Sequence, residues 1–411
     1  MRILINDFAG HPLQLQLSRE LARQQHEVLH LYFGDNNTPM GATKRLPTDS
    51  KLLDIRAIQF SREFRKHSIL KRRGYDLAYG RAATQHLRDF RPDVVLSANT
   101  PLDAQALLME ASRNLGAKFV FWLQDIYSFA VRFVLTRRHV PMSGLIAGYY
   151  ESFERKLLQK SDAVVCIAPE FCDTLRSWSV DLGKVVVIEN WAPLSEMESI
   201  DQVNPWSVQH GLNGKFCFLY SGTLGMKHRP ELLLHLAREF QADHDVKIVV
   251  VASGAGVEWL RTEAARSPLP NLSIFPLQDY TTVPQVLATG SVLLSILDDD
   301  CGVFCVPSKT LAYLCARRPL LLAAPKGNLS NSLIQRSGGG IATGSADLKK
   351  YIESAKLLRR DPALRERCAA AGHAYAMRTF EITGIAKRFT DLFEKLSRAR
   401  TSEPSFVTIG S

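Results

Sequence analysis

The stretch from Ser291 to Ala324 constrains the fold more than any other part of this 411-residue chain. It opens with the apolar run VLLSIL (292–297), which is typical of a parallel strand buried on both faces. Pro307 and Ser308 then mark the start of a helix, because proline is tolerated at the first helical turn and serine is a good N-cap. The run PLLLAA (319–324) predicts the next buried strand. Strand, loop, helix and strand in this order indicate an open α/β sheet.

The start of this helix is a candidate anion site. In an open α/β sheet the free backbone N–H groups and the positive end of the helix dipole face the carboxyl edge of the strands. Lys309 adds a full positive charge at the same place. The alternative is an ordinary capped helix that carries a surface lysine.

The same plan occurs twice along the chain. RILINDF (2–8) and EVLHLYF (27–33) predict strands on either side of a helix over 13–24, with Leu13, Leu17 and Leu21 on one face. FCFLYSGTLGMKHRPELLLHLA (216–237) restarts with a buried strand, a glycine loop and a helix. The polar residues 192–214 contain prolines and glycines that are typical of a linker. The sequence therefore predicts two doubly wound, Rossmann-like α/β domains that face each other across a cleft.

Two loops in these halves carry candidate site residues. Gly222 and Gly225 would let the backbone approach a phosphate, and Lys227 and Arg229 follow on the way into the next helix. A plain surface loop is the alternative for this segment.

In the first half, Gln124 and Asp125 end the predicted strand AKFVFWLQD (117–125), where a carboxylate would point into the cleft. Gly10 and His11 follow the first strand. The alternatives are a helix-capping role for Asp125 and a loop hydrogen bond for His11.

Composition restricts the partners. The net charge of +10 permits nucleic acid, an anionic membrane or a charged substrate. No helix-turn-helix, RNP or zinc-finger pattern is present, which argues against nucleic acid. Residues 62–73 hold six Lys/Arg against one Glu and could lie on an anionic leaflet, the alternative being a solvated helix face. The seven scattered cysteines, the strand-like residues 1–8 and the absence of a long apolar run indicate a cytoplasmic protein with reduced thiols.

Three segments resemble bacterial family 4 glycosyltransferases. VPSKTLAYLCARRP (306–319) is similar to the family segment VPSKxxEYxAxGKP, and SDAVVCIAPEF (161–171) and VVVIENW (185–191) are similar to segments of its first domain. The resemblance implies a GT-B fold and a hexosyltransferase that retains the anomeric configuration and needs neither metal nor cofactor. Two family glutamates are missing, because Phe304 and Ala312 stand in their places.

The resemblance also implies where the substrates bind. The acceptor would lie near Gly10, His11, Gln124 and Asp125, with His11 and Asp125 as candidate catalytic residues. Leu277 stands where the loop backbone pairs with the nucleotide base. The donor diphosphate would be held by Gly222, Thr223, Lys227, Arg229, Pro307, Ser308 and Lys309.

The implied function is transfer of a sugar from a nucleotide donor, UDP-linked and with an N-acetyl amino sugar, in surface polysaccharide synthesis. Lipopolysaccharide and exopolysaccharide both fit, and the acceptor would be a saccharide or a polyprenyl-diphosphate-linked saccharide. The enzyme would be cytoplasmic, with peripheral contact to the inner face of the membrane. A nucleotide-sugar epimerase of the same fold is one alternative. A partner subunit with decayed catalysis is another, favoured by Ala312 and Phe304.

The predicted boundaries follow from the linker and the resemblance. The first domain covers 1–195 and the nucleotide-sugar domain 206–376. A helix at about 377–396 would return to the first domain, followed by a tail at 397–411.

Overall fold

The structure is a computed structural model. It describes residues 1–35, 40–60, 69–137, 140–192, 194, 200–298 and 308–401, and the side chains within these ranges except at 69–72, 137, 227, 308 and 399–401. The chain divides into two compact units. Unit 1 comprises Met1–Asn190 together with the chain from Ile382 onward, and unit 2 comprises Trp191–Glu381.

Each unit contains one parallel sheet. The strands of unit 1 are β1 (Arg2–Asp7), β2 (Glu27–Phe33), β3 (Leu53–Ile58), β4 (Val94–Ala98), β5 (Lys118–Leu123), β6 (Ala163–Cys166) and β7 (Val185–Val187). Those of unit 2 are β8 (Phe216–Thr223), β9 (Val246–Ser253), β10 (Leu272–Phe275), β11 (Val292–Ile296), β12 (Leu320–Ala324) and β13 (Gly340–Gly344). The strand orders are β3-β2-β1-β4-β5-β6-β7 and β10-β9-β8-β11-β12-β13. In each sheet the chain adds strands first on one side of the first strand (β1 or β8) and then on the other side. The predicted pair of doubly wound sheets is therefore confirmed.

Helices connect most of the successive strands. In chain order they are α1 (Pro12–Arg23), α2 (Ile69–Phe90), α3 (Leu102–Asn114), α4 (Tyr127–Arg137), α5 (Ser143–Lys160), α6 (Phe171–Ser177), α7 (Pro205–Gln209), α8 (Glu231–Glu239), α9 (Ala255–Arg266), α10 (Val283–Thr289), α11 (Ser308–Cys315), α12 (Leu329–Ser337), α13 (Leu348–Arg360), α14 (Pro362–Thr379) and α15 (Ile382–Thr401). None of the described helices is both long and apolar enough to cross a bilayer.

The central strands are apolar because both of their faces are buried. All five residues of β4, β11 and β12 are buried, including the run predicted from VLLSIL. In α1, Leu17 and Leu21 are fully buried as predicted, whereas Leu13 is half-buried and Leu15 takes its place in the core.

The last helix of the chain belongs to unit 1. Phe389 of α15 is fully buried, and its ring lies 5.0 Å from the ring of Trp122 in β5. The predicted start near residue 377 lies inside α14, which continues to Thr379 and ends with Phe380 at its C-cap. α15 begins at Ile382.

Candidate active site

Asp7 organises the carboxyl end of β1 in unit 1. It is fully buried, and its carboxylate accepts hydrogen bonds from the backbone N–H of His11 at 2.6 Å and of Ala9 at 3.3 Å. Asn99, which follows β4, donates its side-chain amide to the same carboxylate at 3.1 Å. Burial raises the pKa of Asp7 above its ordinary value, and the attraction of His11 and these hydrogen bonds act in the opposite direction.

The loop that Asp7 holds contains both residues predicted after the first strand. Gly10 adopts φ +69, and its N–H donates to the carbonyl of Asp7 at 3.1 Å. His11 occupies the N-cap position of α1, where its side chain makes no capping hydrogen bond. Because a left-handed conformation favours glycine, Gly10 allows the chain to turn from β1 into α1.

Below this loop, a buried polar network joins β1 to α2 and to the end of β4. The Asn6 side-chain amide donates to Thr100 Oγ1 at 2.7 Å, and Tyr79 donates its hydroxyl to Asn6 Oδ1 at 2.8 Å. Such a satisfied network fixes the relative positions of the elements that carry it.

Gln124 and Asp125 follow β5 and line a cavity of about 220 Å³. The Asp125 side chain is exposed. Gln124 Oε1 accepts a hydrogen bond from Asn190 at 2.7 Å, and among the described residues Gln124 Nε2 has no partner. Gln105 is 1% exposed and also lines the cavity, and its Oε1 likewise lacks a partner within the described part of the chain. Two side chains that line this cavity therefore each hold a buried polar atom without a partner among the described residues.

Glu154 of α5 forms another wall of this cavity. Its carboxylate accepts the backbone N–H of Tyr127 at 2.8 Å and of Ser128 at 2.9 Å, so it caps the start of α4. Burial raises the pKa of Glu154, the hydrogen bonds from Ser128 and Tyr127 oppose this shift, and the charge of Asp125 adds to it. Glu154 thus holds α4, and with it the residues after Asp125, in place.

In unit 2, Lys309 lies beside Gly222, the last residue but one of β8, where the predicted glycine loop begins (residues 222–225, the Gly222 loop). Its Nζ donates to the hydroxyl of Tyr220 at 2.5 Å and lies 3.8 Å from the centroid of that ring. Gly222 adopts φ +119, and a Cβ added there would lie 3.6 Å from Lys309 Nζ. Two of the predicted diphosphate ligands, Gly222 and Lys309, are therefore neighbours at one edge of the sheet.

Tyr313 joins α11 to the end of β8 by two hydrogen bonds. Its hydroxyl accepts the backbone N–H of Ser221 at 2.9 Å and donates to the carbonyl of Ser221 at 3.0 Å. Burial raises the pKa of Tyr313, so the hydroxyl stays protonated and able to donate. One residue of α11 thereby fixes the end of β8 next to Gly222.

Arg229 is placed differently from Lys309. Its guanidinium forms an ion pair with Glu231 at 2.8 Å and also donates to the carbonyl of Ser345. Thr223 is exposed at the end of β8. Binding of a phosphate by Arg229 would require it to exchange these partners.

The remaining predicted donor residues are only partly described. Leu277 is exposed in the loop after β10, and Ser308 begins α11. Pro307 and Phe304 lie outside the described residues, as does the side chain of Lys227. Ala312, which stands in the place of one of the two family glutamates, is half-buried on α11.

Sequence reasoning missed Asp7, Glu154 and Tyr313. Asp7 ends β1 just as the candidate Asp125 follows β5, so the rule that selected Asp125 could also have selected Asp7. The roles of Glu154 and Tyr313 depend on contacts between residues 26 and 92 positions apart, which spacing along the chain does not reveal.

Comparison with known proteins bears on the family and the fold. Residues 14–196 match the sequence model of Glycosyltransferase Family 4. Over 225 residues, the chain is 24% identical to the putative colanic acid biosynthesis glycosyl transferase WcaI of Escherichia coli (strain K12). The match covers 54% of this chain and 55% of WcaI, so the chain spans about half the length of that curated relative.

Solved structures resemble this chain over nearly its whole length. Sucrose-phosphate synthase (tll1590) from Thermosynechococcus elongatus gives a TM-score of 0.73 at 13% identity, with 97% of this chain and 100% of that chain covered. Anabaena Alr3699/HepE in complex with UDP-glucose gives 0.69 at 14% identity, covering 96% and 100%. WaaG, a glycosyltransferase involved in lipopolysaccharide biosynthesis, gives 0.68 at 13% identity, covering 96% and 99%. At these identities the likeness concerns the fold, and it confirms the GT-B class with two Rossmann-like units.

Proposed function

We propose that the protein is a metal-independent glycosyltransferase that uses a nucleotide-sugar donor in surface polysaccharide synthesis and retains the anomeric configuration. The observation that carries the proposal is the position of Lys309 beside the Gly222 loop in unit 2. A lysine next to a glycine loop at the carboxyl edge of a parallel sheet suits a diphosphate. The family 4 match over residues 14–196 supports the same reading.

The donor would be bound by unit 2. Lys309 supplies a positive charge for the leaving diphosphate, and Gly222 lets the phosphate oxygens approach the backbone. We assign supporting contacts to Thr223, Lys227, Arg229, Pro307 and Ser308, and the base-pairing backbone to Leu277. UDP as the nucleotide is favoured by HepE, a protein of the same fold that was solved with UDP-glucose.

The acceptor would be bound by unit 1, in and beside the cavity of Gln124 and Asp125. The exposed carboxylate of Asp125 is suited to accept a hydrogen bond from the attacking hydroxyl and to orient it. Gly10 and His11 follow β1, and β4 lies between β1 and β5 in the sheet. If the leaving phosphate takes the hydroxyl proton, as expected for a retaining enzyme of this kind, Asp125 acts by orientation and not as a general base.

The acceptor we propose is a saccharide, in the form of a lipid-linked saccharide at the inner membrane face. The net positive charge of the segment 62–73 supports this proposal, and its side chains, except that of Arg73, lie outside the described residues. A role in polysaccharide synthesis is supported by WcaI and WaaG, which are named for colanic acid biosynthesis and lipopolysaccharide biosynthesis.

A partner subunit with decayed catalysis is the second candidate, because Ala312 occupies the place of a family glutamate. A nucleotide-sugar epimerase is the third. Incubation with donor alone separates the three: an epimerase converts the donor to its epimer, a transferase releases free sugar slowly, and a decayed subunit leaves the donor unchanged.

The deciding experiment is a thermal-shift and calorimetry panel of UDP, GDP, dTDP and their sugar derivatives. A nucleotide present at about 100 times its dissociation constant should stabilise the protein by about 2.7 kcal/mol. Lys309→Ala should abolish this shift, whereas Lys215→Ala, before β8 at the opposite end of the same sheet, should leave it unchanged. Absence of a shift with every nucleotide would overturn the proposal.

A further inference from the structure

The middle of the Gly222 loop in unit 2 is held by backbone contacts. The Leu224 N–H donates to the carbonyl of Ser253 at 2.8 Å, and the Leu224 carbonyl accepts the N–H of Gly256 at 2.9 Å. A Cβ added at Gly254 or Gly256 would lie 2.7 or 2.8 Å from that carbonyl oxygen, so glycine is needed for the turn after β9 to approach this closely. The neighbouring strand and its turn therefore fix the loop at Leu224.

His228 holds the end of the same loop through its ring. Its Nδ1 accepts the N–H of Gly225 at 2.9 Å, and its own backbone N–H donates to the carbonyl of Gly225 at 3.0 Å. His228 is 8% exposed, so these hydrogen bonds are largely shielded from water. A backbone N–H can only donate, so Nδ1 carries no proton here and the ring proton lies on Nε2. His228 thus satisfies both backbone groups of Gly225.

The backbone immediately after His228 is strained. Arg229 adopts φ +39, a left-handed conformation that is unusual for a residue with a side chain. Such a conformation persists only where surrounding contacts hold it. The turn Met226–His228 leads into this residue, and α8 begins two residues later at Glu231. The hydrogen bonds between His228 and Gly225 close this turn, so they belong to the contacts that hold the strained connection.

The other end of the loop is joined to Lys309 through Tyr220. The Tyr220 hydroxyl donates to the carbonyl of Thr223 at 2.8 Å and accepts a hydrogen bond from Lys309 Nζ at 2.5 Å. Thr223 and Gly225 are separated by one residue. A backbone shift at Gly225 would therefore reach the hydrogen bonds that position Lys309.

We propose that His228 is a positioning residue for the nucleotide-sugar donor: its neutral ring holds the Gly222 loop in the shape that keeps Gly222 beside Lys309. The inference rests on the proposed function, because it assigns the donor diphosphate to this edge of unit 2. A loop that is already held in its binding conformation loses less conformational freedom when the ligand arrives, so the complex is tighter. Since the N–H of Gly225 is bonded to His228, we assign the diphosphate to the part of the loop next to Gly222.

The test compares three substitutions of His228 in the full-length protein by calorimetry with UDP, GDP and dTDP. His228→Ala removes the acceptor, so the dissociation constant of the bound nucleotide should rise about tenfold, or about 1.4 kcal/mol. In His228→Asn the side-chain oxygen can occupy the place of Nδ1, and the affinity should stay within about threefold of that of the unchanged protein. In His228→Gln the oxygen lies one bond farther from the backbone, near the place of Nε2, and the affinity should fall as in His228→Ala.

Hydrogen exchange of the ligand-free variants gives a second readout, on the peptide that contains the Gly225 N–H. Exchange there should be faster in His228→Ala and His228→Gln than in His228→Asn, because only asparagine replaces the acceptor. The matched control is His235→Ala, at a half-buried histidine of α8, which should change neither exchange at Gly225 nor affinity. In kinetics, the KM for the donor should rise with the loss of affinity, while the KM for the acceptor should stay unchanged.

Each of three results would overturn the role of His228 and leave the proposed transferase in place. These are full affinity in His228→Ala, equal affinity in His228→Gln and His228→Asn, and a loss of affinity without faster exchange at Gly225. If His228→Ala does not fold, the comparison of His228→Gln with His228→Asn decides. An unchanged protein that binds none of the three nucleotides would instead overturn the transferase and this role together.

Discussion

The carboxyl edges of the two sheets are built on the same plan but carry opposite chemistry. In unit 1 the edge gathers carboxylates and amides, from Asp7 and Asn99 to Gln124, Asp125 and Glu154. In unit 2 the described edge gathers an amino group, tyrosine hydroxyls and a glycine loop, through Lys309, Tyr220, Tyr313 and Gly222. The strand order of a sheet therefore does not determine which ligand its carboxyl edge binds. The residues at the strand ends and in the following loops determine the charge of that edge.

This difference suits two kinds of substrate. Carboxylates and amides recognise neutral hydroxyl groups through hydrogen bonds, whereas an ammonium group beside free backbone N–H groups recognises an anion. A reaction between a sugar hydroxyl and a sugar diphosphate needs both kinds of site.

The strongest test removes the cation from unit 2. Lys309→Ala should lower kcat/KM for the donor by about 100- to 1000-fold, or about 3–4 kcal/mol, because the leaving diphosphate loses its positively charged neighbour. Steady-state kinetics and UDP calorimetry measure this change, with Lys215→Ala as the control. An effect below about threefold would mean that unit 2 does not bind anions through this edge.

The corresponding change in unit 1 should separate acceptor from donor. Asp125→Asn should reduce transfer by about 100-fold, or about 2.7 kcal/mol, because the amide orients the hydroxyl less strongly than the carboxylate. UDP affinity should stay unchanged. Asp173→Asn, an exposed carboxylate on α6, is the control. Weaker UDP binding in Asp125→Asn would contradict the proposal that unit 1 binds the acceptor and unit 2 binds the donor.

Acid should weaken unit 1 through His30. This histidine is fully buried beside Ser18, and burial followed by the charge of Arg19 lowers its pKa to about 3. The unfolded chain takes up a proton below about pH 6.5 while the folded one does not, so stability falls as pH falls toward about 3. At about pH 5 the loss should reach about 2 kcal/mol, at about 1.4 kcal/mol per pH unit.

Urea unfolding monitored across this pH range measures the slope. His30→Asn, which does not titrate, should flatten it, and His244→Asn on the surface should not. Asp7 and Glu154, whose pKa values burial raises, titrate alike in all three proteins and cancel in the comparison. An unchanged slope in His30→Asn would refute the assignment.

The smallest expected effect concerns Tyr313. Tyr313→Phe should lower the free energy of unfolding of unit 2 by about 1–2 kcal/mol, because the Ser221 backbone loses both hydrogen bonds to the hydroxyl. UDP affinity should fall a few-fold as the Gly222 loop loosens. Chemical denaturation and calorimetry measure both quantities. Full UDP affinity in a destabilised variant would mean that the loop is held by other contacts.

Much of this arrangement follows from local sequence patterns. Buried apolar runs predicted β1, β8, β11 and β12, and the resemblance to family 4 glycosyltransferases implied that Gly222 and Lys309, which are neighbours in the structure, bind one diphosphate. What escaped prediction depends on contacts distant in sequence. The helix α4 begins at Tyr127, and Glu154 of α5, 26 and 27 positions away along the chain, accepts the N–H groups of Ser128 and Tyr127 in its first turn.

The edge strand β3 was also missed, and for a different reason. Its sequence LDIRAI is buried mainly at Leu53 and Ile58, so it lacks the continuous apolar run of a central strand. The ion pair of Arg229 with Glu231 was not predicted either, because a sequence shows which residues are charged but not whether their side chains are in contact.

The packing of Phe389 against Trp122 has a consequence for biosynthesis. Unit 2 is one uninterrupted segment, so it can complete its core as soon as Glu381 has left the ribosome. Unit 1 cannot complete its core until α15 has been synthesised, because Phe389 of this helix packs on Trp122. Translation that halts just before this helix should therefore yield a nascent product that chaperones retain.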